Sequence, residues 1–143
     1  MTCAEVMTPS PTCCQPDQTA VDAAELMQSE DVGLVPVVGA DNTKLIGVLT
    51  DRDIVIKVVA AGRDPRGTAG SEVMTTDPVA CLPQESVEAV MELMASRQVR
   101  RIPIVDKDGA IVGIVSQADI ATRIASPQVT GQVVQAISEP AAT

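Results

Sequence analysis

Two kinds of hydrophobic spacing alternate along the chain, and the order in which they alternate occurs twice. After Thr19, the residues Ala20, Ala23, Ala24 and Met27 fall at i, i+3, i+4 and i+7, and after Ser86 the same positions carry Val87, Val90, Met91 and Met94. Each set predicts a helix of about three turns with one apolar face. Leu34 to Val38 and Leu45 to Leu49 are short apolar runs around a polar stretch at 39–44, which predicts a strand pair; Ile102 to Val105 and Ile111 to Val115 repeat it around Asp106-Lys107-Asp108-Gly109. A further helix opens at Asp51 and again at Gln117, with Ile54, Val55, Val58 and Val59, and then Ile120 and Ile124, as apolar faces. A weaker strand precedes each first helix, at Thr12 to Cys14 and at Val79 to Cys81. Each half therefore reads β-α-β-β-α.

The halves are related residue by residue. Val6-Met7-Thr8 recurs as Val73-Met74-Thr75, and Val35-Pro36-Val37 as Ile102-Pro103-Ile104, both displaced by 67 residues. Gly47 then matches Gly113, and Thr50 to Ile54 matches Ser116 to Ile120, displaced by 66. Such self-similarity predicts two copies of one supersecondary unit. We place the first repeat at 5–60, a Gly-rich, charged linker at 61–72, the second repeat at 73–125, and a tail at 126–143. In the tail Val129, Val133, Val134 and Ile137 suit a short amphipathic helix. A unit of this size buries little by itself, so the fold class expected is α/β (α+β), with tandem βαββα repeats packed sheet to sheet.

Composition narrows the function. The chain has no Phe, Tyr or Trp, so Val, Ile, Leu, Met and Ala must fill the core and no ring can stack on a base. With no His it lacks the commonest general acid/base and metal ligand, which argues against an enzyme and against zinc. A net charge of −9 repels DNA and anionic membranes. No secretory signal and no apolar stretch of about 20 residues is visible, so a cytoplasmic protein is expected.

The chemistry concentrates where a strand ends and a helix begins. Thr50-Asp51-Arg52-Asp53 and Ser116-Gln117-Ala118-Asp119 occupy these points, where backbone N–H groups lack intrahelical partners and favour an anion. The same Thr/Ser-x-x-acid spacing is a capping box, and the two roles coexist readily. Arg100 and Arg101 stand where the first repeat has Gly33 and Leu34; a guanidinium there suits a phosphate, or else an ion pair. Arg52, Lys57 and Arg123 are further cations, solvated unless something fixes them. Pro36 and Pro103 interrupt apolar runs, so their strands lack a ladder bond at that point. Cys3, Cys13, Cys14 and Cys81 form no CxxC pair; they are buried apolar residues or a redox switch, with Cys3 the most open to chance oxidation.

Taken in order, the opening Val-Met-Thr, the apolar-Pro-apolar strand and the Gly-apolar-apolar-Thr/Ser-x-x-Asp-Ile run, all present twice, resemble a paired cystathionine-β-synthase (CBS) domain, or Bateman module, over residues 5 to 125. The strings LTDRDIVIK and QVRRIPI are similar to those of stand-alone two-repeat actinobacterial members of the hypoxic response type. The resemblance implies pseudo-twofold symmetry, two clefts between the repeats that take adenine nucleotides, and disk-shaped homodimers. Symmetry of that kind relates Cys14 to Cys81. It assigns phosphate or ribose contacts to Thr50 and Ser116, ribose hydroxyls to Asp53 and Asp119, phosphate to Arg101, and nucleotide-facing backbone to Pro36 and Pro103. The function expected is a regulatory module with no required cofactor, whose ligand is AMP, ADP, ATP or S-adenosylmethionine. The competing readings are a ligand-free adaptor for an unknown protein partner and a cysteine-based redox or stress-response protein.

Overall fold

The structure is a computed structural model that describes residues 1–39, 41 and 43–123. The expected tail helix over 126–143, and Ile124, lie outside these residues. In chain order the elements are α1 (Cys3–Val6), β1 (Thr8–Pro9), α2 (Ala20–Glu30), β2 (Leu34–Val38), β3 (Leu45–Thr50) and α3 (Asp51–Ile54), which continues as a π-helix (Val55–Val59). Then follow α4 (Gly70–Val73), β4 (Thr75–Thr76), α5 (Val87–Arg97), β5 (Arg101–Val105), β6 (Ile111–Ser116) and α6 (Gln117–Arg123).

The long helices start where the spacing places them, because each has a side-chain cap. The Thr19 hydroxyl accepts from the Asp22 N–H at 3.2 Å and the Ser86 hydroxyl from the Ala89 N–H at 3.2 Å. Both stop in the left-handed conformation, at Asp31 (φ 54°) and Gln98 (φ 53°), which redirects the chain into the strand that follows.

The chain forms two compact units, and their membership cuts across the order of the sequence. One consists of Pro11–Pro78 with the turn Asp108–Ile111; the other takes Met1–Ser10, Val79–Lys107 and the residues from Val112. In the first, β2, β3 and β4 form a sheet in that order, with Leu34 opposite Thr50 and Val48 opposite Thr75. Its core holds Cys14, Ala20, Ala23, Met27, Val35, Val37, Leu49, Val58 and Val73. In the second, the order is β1, β6, β5, with Thr8 opposite Ile114. Cys3, Val6, Cys81, Val87, Val90, Met94, Ile102, Ile104, Val115 and Ile120 fill its core.

The Val-Met-Thr segments thus have a definite structural task. Each supplies a short strand that completes a sheet, and its methionine lies over the glycine of the strand it joins. A Cβ at Gly47 would come within 2.6 Å of Met74 Sδ and 2.8 Å of the Thr75 carbonyl oxygen, and one at Gly113 would collide with Met7 Sδ. Glycine is required at both points for close approach.

Three expectations change. The weak strands before α2 and α5 shrink to single parallel bridges, Cys14 with Val37 and Cys81 with Ile104. Cys3 is fully buried, because α1 is part of a core and not a loose end. Val55 and Val59 were expected on a buried face with Val58, yet they are 54% and 66% exposed, as is Ile56 at 51%, while Val58 is buried. The i→i+5 bonding of the π-helix, seen in Ala60 N–H to the Val55 carbonyl at 2.8 Å, changes the period on which that face was drawn.

Candidate functional site

Each candidate turn is held by the strand that leads into it. The Asp51 N–H donates to the Gly33 carbonyl at 3.0 Å, and the Gln117 N–H to the Arg100 carbonyl at 2.9 Å. Both turns are reciprocal capping boxes. Thr50 Oγ1 accepts from the Asp53 N–H at 3.0 Å while Asp53 Oδ2 accepts from the Thr50 N–H at 3.0 Å. Ser116 Oγ accepts from the Asp119 N–H at 3.0 Å and Asp119 Oδ2 accepts from the Ser116 N–H at 2.9 Å. At the first turn the Arg52 N–H also finds an acceptor, Asp51 Oδ1 at 2.8 Å. The first three N–H groups of α3 are therefore already bonded within the chain, which weakens the anion site expected there. Each hydroxyl uses one lone pair in its box, leaving its own O–H to be directed elsewhere.

The second carboxylate oxygen differs between the turns. Asp53 Oδ1 lies 3.1 Å from Lys57 Nζ, which also donates to the Val73 carbonyl at 3.1 Å, the last residue of α4. Asp119 Oδ1 accepts from the Thr8 hydroxyl at 3.3 Å, and Arg123 Nη1 donates to the Glu5 carbonyl in α1 at 3.3 Å. Lys57 and Arg123 occupy equivalent positions and each ties the end of its helix to the short helix before a Val-Met-Thr strand. Asp53 and Lys57 carry opposite charges at i and i+4 of one helix, whereas Thr8 and Asp119 are 111 residues apart, and the hint to that bond is that Thr8 and Thr75 are repeated.

Arg101 is exposed at the start of β5, beside the bond that joins Arg100 to Gln117. Arg100, Arg101 and the Ser116-Asp119 turn are thereby brought together. The first unit has Gly33 and the buried Leu34 in the corresponding places. Pro36 and Pro103 are buried mid-strand, and each offers its carbonyl to a cysteine N–H: Cys14 at 2.8 Å and Cys81 at 3.1 Å. The missing N–H of each proline faces that outer side, so the ladder to the neighbouring strand is intact.

All four cysteines are free. Burial pushes every one of their thiols up, most of all Cys81, which is raised from 9.0 to about 12 by burial, then by the Glu85 carboxylate and Cys3. Among the described residues no group of three or more His, Cys, Asp or Glu side chains is placed to hold a metal ion, and no helix is long and apolar enough to cross a membrane.

The family model of the CBS domain matches residues 3–60 and 70–126. The CBS domain-containing protein YhcV of Bacillus subtilis is 42% identical over 134 residues, which is 94% of this chain and 93% of that protein. Hypoxic response protein 1 of Mycobacterium tuberculosis is 36% identical over 141 residues, 99% of this chain and 96% of that one. Among solved structures, CBSX2 in complex with AMP is similar with a TM-score of 0.74 at 25% identity, covering 85% of this chain and 93% of its own.

Proposed function

The chain belongs to the CBS-domain family, and from that premise we propose that it is a regulatory module that senses an adenine nucleotide, not an enzyme. The observation that carries this reading is the grouping at the second turn. There Ser116 and Asp119 are held in fixed orientation next to the exposed Arg101, supplying a hydroxyl for phosphate or ribose, a carboxylate for ribose hydroxyls, and a guanidinium for phosphate. Thr50 and Asp53 form the corresponding, weaker site, because Gly33 and Leu34 stand where the second repeat has Arg100 and Arg101, and Lys57 already faces Asp53. Pro36 and Pro103 hold the strand backbone that borders each site. AMP bound to CBSX2 supports the ligand class.

Calorimetry with AMP, ADP, ATP and S-adenosylmethionine tests the reading. At least one should bind, and Arg101→Ala should weaken it about tenfold, the loss of one charge-assisted contact of about 1.4 kcal/mol. Silence from all four ligands, with the chain folded, would overturn it.

The module works as a homodimer, the arrangement its family resemblance implies, with Val55, Ile56 and Val59 as an apolar face for the second copy. It acts in the cytoplasm, where four free thiols are chemically at home, and in a stress response, as the name of its mycobacterial relative suggests. The redox reading is disfavoured, because thiols with raised pKa values are poor nucleophiles at neutral pH.

A further inference from the structure

The segment Met1–Ser10 packs with residues from Val79 onward, while the chain that follows it, from Pro11, belongs to the other unit. It is well built into its site. The Cys3 N–H donates to the Glu85 carbonyl at 2.8 Å, the Ala4 N–H to Pro83 at 2.9 Å, and the Val87 N–H to the Met1 carbonyl at 2.9 Å. Cys3 and Val6 are fully buried in the core, and Thr8 and Pro9 pair with β6. The same three bonds occur at a displacement of 67 for the second Val-Met-Thr segment: Gly70 to Gln18 at 2.6 Å, Ser71 to Pro16 at 3.1 Å, and Ala20 to Thr68 at 2.9 Å. That segment, however, is continuous in sequence with the rest of its unit. Residues 1–10 reach their unit across the intervening Pro11–Pro78; the turn Asp108–Ile111 also lies apart from its unit in sequence, but it is tethered at both ends.

The crossing itself is strained. Ser10 is left-handed, with φ 51°, and is followed by Pro11; Asp77, at the other crossing, is left-handed with φ 49° and is followed by Pro78. Serine is not a residue that visits this region freely, and proline steers its predecessor toward extended backbone. The two conditions conflict at Ser10 in the closed chain and are released when Ser10 extends.

We propose that residues 1–10 exchange between two copies of this chain about a hinge at Ser10, so that the site on residues 79–123 receives its own arm or the identical arm of a second copy. Every bond of the docked arm is retained in the exchanged form, and only the hinge changes conformation. This exchange is independent of nucleotide binding.

The test uses full-length chains in a Cys13→Ser background with tags of different size. One carries Thr8→Cys and the other Ile114→Cys, positions that face each other in the ladder. After joint unfolding, refolding and oxidation, a disulfide dimer containing both tags is expected, rising with protein concentration and exceeding that from either chain alone. Adding Ser10→Gly to both chains removes the conflict in the closed form and should lower the yield by about threefold or more. No mixed dimer, or a yield unchanged by Ser10→Gly, would overturn the proposal. A second measurement needs no added cysteine: native mass spectrometry of dimers that survive dilution after the Val59→Asp chain, whose apolar dimer face is disrupted, refolds at high concentration. Their amount should fall by a similar factor when Ser10→Gly is added, and equal amounts would overturn the proposal as well.

Discussion

Cys81 shows how little a cysteine's position in the sequence says about its chemistry. The residue joins a strand edge through its backbone, its side chain is buried, and its thiol is raised from 9.0 to about 12. In the unfolded chain the thiol gives up its proton near pH 9, whereas the folded protein retains it. The stabilising contribution is therefore complete below about pH 9 and declines toward pH 12, by up to about 1.4 kcal/mol per pH unit. Urea midpoints measured from pH 8 to pH 11 should show this alkaline loss, and Cys81→Ala should flatten the slope whatever it does to stability at pH 7. At the turns, Thr50→Ala removes a cap and should cost about 1 kcal/mol in denaturant titrations, with Thr50→Ser close to wild type. The capping boxes at Thr50 and Ser116 were legible in the sequence because they are local, three residues from cap to acid. Of the partners of the remaining carboxylate oxygens, Lys57 stands within helical spacing of Asp53, whereas Thr8 is 111 residues from Asp119 and leaves no local trace.

Among the elements, both α2 and α5, both strand pairs and the starts of α3 and α6 follow from apolar spacing alone. The two-residue strands β1 and β4 do not, since a ladder of two residues leaves no periodicity to read. Their signature is instead a pair of repeated motifs far apart in the chain: a methionine and the glycine it covers. That pairing makes a specific prediction. Gly113→Ala should destabilise the protein by about 1–3 kcal/mol through overpacking, and Met7→Ala in the same chain should recover part of the loss, because the flexible thioether is the nearest obstacle and the Thr8 carbonyl oxygen stands farther off at 3.1 Å. At Gly47 the Thr75 carbonyl oxygen lies at 2.8 Å, so Met74→Ala should not rescue Gly47→Ala. Thermal melts of the two single variants and the double variant at each site, beside the wild type, decide the matter. The π-helix was also hidden, since Val55 and Val59 match an α-helical face as well as any core residue.

For the whole molecule, periodicity identifies two repeats but carries no record of which body each repeated segment joins, since either arrangement gives the same sequence. Docking of Met1–Ser10 with residues beyond Val79 is a fact of three dimensions. A fragment spanning 11–78 contains nearly all of one unit, whereas one spanning 1–67 has an arm without its sheet and a sheet without β4. Circular dichroism should therefore find the first fragment more structured than the second, although both are of similar length. The proposed dimer is tested at this scale too: if Val55, Ile56 and Val59 form its face, Val59→Asp places a charge there and should shift sedimentation toward the monomer while leaving the fold intact.

The bond between the first strand and its partner also has a dimension in time. Thr8 pairs with Ile114, so a ribosome must add over a hundred residues before the arm's own site exists. At ~5–20 residues/s that is on the order of 5–20 s. During this interval Val6 and Cys3, destined for the core, have no docking surface of their own. On a messenger carrying several ribosomes, the nearest finished site can belong to the chain ahead. Translation speed and ribosome spacing, as well as equilibrium stability, then help decide which copy an arm joins.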